Sequence, residues 1–279
     1  MLLPEVRPAV NAGRYGFYPS DRKELEDLIR EYLASAVVPS GIVPIGLVVP
    51  HAGYIYSGGT AAHGYKLLVG RHIERVIIFA PSHYAAFPGA SIFPGRAFAT
   101  PLGEVPVDRS FLKHLIEHSS CFEYYPEAEQ REHSLEVQLP FLQYVLRDFE
   151  LVPVVMYDRS YSNCKRIAQA VLASMEALPR ETIIIASSDL YHGPGAHRAR
   201  QLSAATAEGI ASLDPVSFAE AIESGEYHAC GSGPIITAML VCKGVGARRG
   251  TVLSLTTSYE VMPRSEDYVV GYTAVAYHE

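Results

Sequence analysis

The chain contains no tryptophan, no long apolar run and no cluster of basic residues. No stretch approaches the roughly 20 apolar residues that span a bilayer, so a membrane-crossing helix is excluded and no membrane partner is expected. Phosphate recognition needs concentrated Lys and Arg. Here those residues are scattered and the net charge is -7, so nucleic acid is not expected as a partner. The four cysteines, Cys121, Cys164, Cys230 and Cys242, form no CxxC pair. They read as reduced thiols of a cytoplasmic protein. Residues 1–7 lack the charged and apolar regions of a signal peptide. No repeat, linker or low-complexity segment divides the 279 residues, and no domain boundary is drawn within them. Against the missing tryptophan stand 18 tyrosines, a bias without a functional reading.

Hydrophobic residues make up 48% and charged residues 19% of the chain, which suits a substantial core and not disorder. Four short uncharged runs, at 45–50, 76–82, 151–156 and 182–187, read as core strands, the first two as strands covered on both faces. Leu25, Leu28, Ile29 and Leu33 recur at helical spacing and predict a helix over 21–34 with Ser20 as its N-cap. Further helices are expected over 59–69, 109–118, 132–146, 167–178, 199–213, 215–224 and 233–243. Residues 84–104, rich in Gly, Pro and Phe, read as loops and short strands, and strands over 251–257 and 268–277 close the chain. The alternation predicts a single α/β domain with a mostly parallel or mixed central sheet flanked by helices.

Chemistry concentrates at the ends of those runs. His51 follows Pro50, and His83 follows Pro81-Ser82. Proline ends a ladder, so both histidines emerge just past a strand's C-terminal end, the edge of an open α/β sheet where ligands bind. Two imidazoles from neighbouring strand ends are a natural start to a metal site. The fourth run delivers Ser187-Ser188-Asp189-Leu190-Tyr191-His192, a carboxylate and an imidazole able to reach one point. Cys230 stands just before the helix expected at 233–243, where free N–H groups and the positive helix end favour thiolate. Glu132 and Glu136 fall four apart on one face of the expected 132–146 helix, with His133 beside them. The bland alternatives are a turn-capping Asp189, a buried apolar Cys230 and a structural Glu132/Glu136 face. His63, His72, His114, His118, His197 and His278 read as structural, and His228 stays open beside Cys230.

Pro50-His51-Ala52-Gly53-Tyr54, Pro81-Ser82-His83, Glu132-His133-Ser134-Leu135-Glu136, Ser187-Ser188-Asp189-Leu190-Tyr191-His192 and Cys230-Gly231 occur in the order seen in the Memo-like family. Arg7-Pro8-Ala9-Val10 with Phe17-Tyr18-Pro19 resembles that family's start, and Gly271-Tyr272 its closing strand. The resemblance implies one Memo-like domain over 1–279 whose fold is like that of class III extradiol ring-cleaving dioxygenases, which use non-haem iron(II). It implies His51, His83 and Cys230 as metal ligands, with Asp189 and His192 as the catalytic pair in the same pocket. In the dioxygenases the third ligand is a carboxylate. A thiolate there is softer and is itself oxidised, which argues against ring cleavage. Iron(II) is the expected metal, with zinc or copper(I) as alternatives on ligand type.

Three functions are compatible with these residues. The first is an iron-dependent oxidoreductase acting on a diolate-like small molecule with dioxygen, His192 moving the proton. The second is a non-catalytic module that holds a metal, a small molecule or a peptide. The third is a metal-assisted hydrolase with Glu132 or His192 as base.

Overall fold

The computed structural model of the chain describes residues 5–13 and 16–279. The signal-peptide reading falls partly on residues 1–4, which lie outside them. The central sheet is mixed. Gly46–Val49, Thr182–Ser187, Arg75–Pro81 and Glu150–Met156 lie side by side and parallel. Val269–His278 adds antiparallel to Gly46–Val49, and Arg249–Thr257 adds antiparallel beyond it. Ile77, Ile78, Phe79, Val152, Val154, Ile183, Ile184 and Ile185 are fully buried, as parallel strands covered on both faces require. Helices including Tyr54–Lys66, Tyr161–Ala177 and Ser232–Gly244 cover the sheet, and one hydrophobic cluster runs from Tyr18 to Tyr277. No helix among the described residues is long and apolar enough to cross a membrane.

Strand register positions the site. Val49 pairs with Ser187, Phe79 with Ala186 and Pro81 with Met156. The chain therefore leaves three neighbouring strands at one level, carrying His51, His83 and Asp189 to the same sheet edge.

Three local expectations are corrected. The first helix, Arg22–Ser35, is capped by Asp21, which accepts from the Glu24 N–H, and not by Ser20. The second, Tyr54–Lys66, begins five residues earlier than expected and contains Gly58 and Gly59. Gly58 is an approach point: a Cβ there would lie 2.5 Å from the Tyr32 ring. The expected 132–146 helix is absent over its first turn. A 3-10 turn at Glu136–Gln138 leads into a helix at Leu139–Val145. The carbonyls of Glu129 and Glu132 are taken by the Arg7 guanidinium, and the Glu132 carboxylate caps the N–H groups of His133 and Ser134. With those groups committed elsewhere, residues 130–135 stay irregular.

Arg7 also ties the N-terminal segment down. Its Nη1 donates to Glu136 Oε2 at 2.5 Å, and both side chains are buried. Asn11 and the Tyr18 hydroxyl donate to the same carboxylate. Removing one partner of a buried ion pair strands the other charge. Arg7→Met is therefore expected to lower unfolding free energy by about 3–5 kcal/mol, read as a shifted urea midpoint. A loss below about 1 kcal/mol, the range of an exposed pair, would show that this anchor does not hold the segment.

Candidate metal centre

Three imidazoles converge at the sheet edge. His51, His83 and His133 each bring one ring nitrogen to within 4.8 Å of the others. His51 is buried, and the His83 side chain is 30% exposed. The His51 and His83 ring centroids are 5.1 Å apart, nearly perpendicular. His133 stacks on His83 at 4.7 Å, and Phe17 stacks on its other face at 4.1 Å. His133 Nδ1 is buried without a hydrogen-bond partner.

Glu132 orients His83. Its carboxylate, 1% exposed, accepts from the His83 backbone N–H at 2.6 Å and lies 2.9 Å from His83 Nδ1. Burial raises the Glu132 pKa, but the hydrogen bond and charge of His83 outweigh that and bring it to about 2. The carboxylate is thus ionised and can only accept, so Nδ1 carries a hydrogen, and in the neutral ring His83 Nε2 presents its lone pair. Burial works against protonated His83, yet the Glu132 hydrogen bond and charge raise its pKa. Burial, then the nearby His51, bring His133 down to about 3. Burial and the neighbouring His83 hold His51 well below its ordinary value. His51 and His133 are therefore neutral at physiological pH, the form that ligates metal.

The other candidates divide. Asp189 is buried; its Oδ1 accepts from the His51 N–H at 2.8 Å and the Ala52 N–H at 3.3 Å, and its Oδ2 lies 4.0 Å from His51 Nε2. Burial raises its pKa. Cys230 Sγ lies 3.2 Å from His51 Nε2 and accepts from the Asp189 N–H. The helix behind it begins at Ser232, one residue nearer than expected. Burial and the Asp189 charge push the thiol pKa strongly upward; the expectation of a favoured thiolate is reversed for the metal-free protein. His192 is exposed. Its Nδ1 lies 2.9 Å from the Leu190 carbonyl, an acceptor, so Nδ1 carries a hydrogen. His228 packs edge-on against Tyr191. Glu132 and Glu136 do not share a helix face; each is a buried hub of hydrogen bonds. His133 was not among the expected ligands. Its one sequence signal was its place beside Glu132, and an irregular loop has no periodicity from which to read a direction.

Fold and site define an α/β protein whose sheet edge carries a histidine cluster able to hold a metal ion. The profile of the Memo-like protein family matches residues 7–276, and the chain belongs to that family. A MEMO1 family protein of Nitrosopumilus maritimus is 34% identical over 278 residues, covering 98% of this chain and 99% of its own length. Another, of Ignicoccus hospitalis, is 37% identical over 284 residues, covering 98% of each. The solved structure of an uncharacterized protein from Escherichia coli K12 aligns with a TM-score of 0.49 at 11% identity, over 82% of this chain and 98% of its own.

Glu132→Gln tests the centre's electrostatics. A depressed carboxylate pKa stabilises the fold fully above its ordinary value of 4.5, and that contribution is lost as pH falls toward about 2. The variant's stability should therefore vary less with pH in that acid window, measured by denaturant midpoints. An unchanged slope would show that the His83–Glu132 pair is not stabilising.

Proposed function

We propose that this chain is a metal-dependent oxidoreductase of the non-haem iron type, related to the extradiol dioxygenases, acting as one Memo-like domain over 1–279. It takes one divalent cation, iron(II) by preference, through His51, His83 and Cys230. The observation that carries this reading is the convergence of three imidazoles, their ligand atoms within 4.8 Å of one another, at a strand-end edge. A donor set of imidazole, thiol and carboxylate, with Cys230 Sγ 3.2 Å and Asp189 Oδ2 4.0 Å from His51 Nε2, fits a first-row transition metal. Cys230 is favoured as third donor because it already touches His51 Nε2. His133 and His83 are stacked 21° from parallel, so their lone pairs run side by side and converge poorly on one ion.

A metal bound there supplies a Lewis-acid and redox-active centre. The chain supplies the rest. Glu132 fixes the His83 ring, Asp189 holds the backbone at His51 and Ala52, and Nε2 of exposed His192 exchanges a proton between substrate and solvent.

His51→Ala should abolish metal retention after anaerobic purification, measured by elemental analysis, with little loss of fold in the metal-free protein. Cys230→Ser should lower metal content more than His133→Phe; the reverse order would move the third ligand to His133. His192→Phe should keep the metal and lose turnover. Turnover is read as oxygen consumption by the iron(II)-loaded protein with a catechol panel, weak on simple catechols. No consumption above the metal-free control would overturn the catalytic reading. One observation favours a second reading: a buried thiol against a ligand histidine suits copper(I) or zinc in a non-catalytic holder. Stoichiometric copper or zinc without turnover would establish it.

A further inference from the structure

The hydrogen on His51 is governed by a residue with no assigned role. His51 Nδ1 lies 2.8 Å from Ser187 Oγ, and a serine hydroxyl has one hydrogen and two lone pairs. Ser187 Oγ has two other partners. The Ser134 backbone carbonyl, at 2.6 Å, can only accept. Gln138 Nε2, at 2.8 Å, can only donate. The Gln138 amide is itself oriented: Nε2 also donates to the Pro50 carbonyl at 3.0 Å, and Tyr65 donates to Oε1 at 2.6 Å. A flipped amide would set oxygen against the Pro50 carbonyl oxygen. The Ser187 hydrogen therefore goes to Ser134, and Gln138 fills one lone pair. What remains for His51 is one lone pair, which takes a hydrogen and offers none.

We infer that Ser187 is a positioning residue that fixes His51 as the Nδ1–H tautomer and so aims the Nε2 lone pair at the metal position. The inference rests on the reading of His51 and His83 as ligands, and it explains why a device is needed. Asp189 Oδ2 lies 4.0 Å from His51 Nε2. A carboxylate on that side favours a hydrogen on Nε2, the tautomer that cannot ligate through that atom, whereas the Cys230 thiol, 3.2 Å from the same nitrogen, can donate to it; the groups on that side pull in opposite directions and do not fix the tautomer. Ser187, Ser134 and Gln138 are all buried, so water does not substitute for any of them. Turning the Ser187 hydroxyl toward His51 would leave the Ser134 carbonyl only a 3.4 Å contact with Gln138. The two ligand histidines are thus held by unlike groups: His83 by a carboxylate, which makes its ring a stronger donor, and His51 by a neutral hydroxyl, which sets direction without adding charge.

The tautomer is read directly. In uniformly nitrogen-15-labelled metal-free protein at neutral pH, His51 Nδ1 should show the protonated, pyrrole-type resonance and Nε2 the unprotonated, pyridine-type one. In Ser187→Ala the pattern should shift toward Nε2–H. Affinity for zinc ion alone, by calorimetry, should fall about 10–100-fold, the usual loss for a ligand-orienting partner. Ser187→Thr, which keeps the hydroxyl, should restore the parent pattern. A parent spectrum with hydrogen on Nε2 overturns the inference, and so does a folded Ser187→Ala that keeps Nδ1–H with zinc affinity within twofold of the parent. If Ser187→Ala does not fold, the parent spectrum still decides. Failure of the parent to bind any metal would sink the ligand reading and leave the tautomer result standing.

Discussion

A carboxylate taken out of water stays ionised only when donors surround it, and Glu132 shows what such donors can organise. Its two oxygens receive the backbone N–H and ring Nδ1 of His83 and the N–H groups of His133 and Ser134. One buried charge therefore fixes a loop after the Arg75–Pro81 strand, the orientation of one imidazole and the start of a segment some 50 residues later. The same segment presents the Ser134 carbonyl to Ser187 and the Gln138 amide to Pro50. Three strand ends and one irregular loop are cross-tied through atoms that cannot be exchanged for water.

That arrangement gives the N-terminal segment its work. Arg7 occupies the carbonyls of Glu129 and Glu132 and pairs with Glu136, so the loop cannot wind into a helix. Phe17 then closes over His133. The segment contributes no candidate ligand, yet it sets the backbone path that brings His133 beside His83. A buried ion pair of this kind adds little net stability, because desolvation offsets most of the attraction. Its value here lies in which conformation it selects.

Much of this was legible from sequence, and the boundary between legible and illegible is physical. The parallel core strands announced themselves as uncharged β-branched runs, because burial on both faces leaves no room for polar alternation. Once the strands are fixed, the prolines at 50 and 81 place His51 and His83 at the sheet edge, and Ser187 to Asp189 follow from the fourth run. The 130–135 loop was not legible. A helix is expected there from Glu132 onward, and what overrides it is a guanidinium more than 120 positions away. The early start of the Tyr54–Lys66 helix was hidden for a similar reason: Gly58 is demanded by the Tyr32 ring packed against it, a tertiary fact with no local signature. The state of the Cys230 thiol was not legible either, because burial and Asp189, which only the fold brings to it, outweigh the nearby helix start.

The charge state of the metal-free site follows from the same competition between burial and partners. Two imidazoles are pushed toward neutrality, the Asp189 carboxyl is pushed upward by burial, and the Cys230 thiol is held protonated. Glu132, with four donors, is the exception. Each suppressed group is one whose ligating form a cation stabilises: a cation lowers the pKa of a nearby carboxyl and thiol and favours neutral imidazole over imidazolium. A purely structural cluster gains nothing from bringing three imidazole nitrogens within 4.8 Å of one another, since each unpaired polar atom costs free energy when buried. The orphaned His133 Nδ1 and the long 4.0 Å approach of Asp189 Oδ2 to His51 are costs of that kind. They are offset if the point they face is, in the working protein, occupied by positive charge.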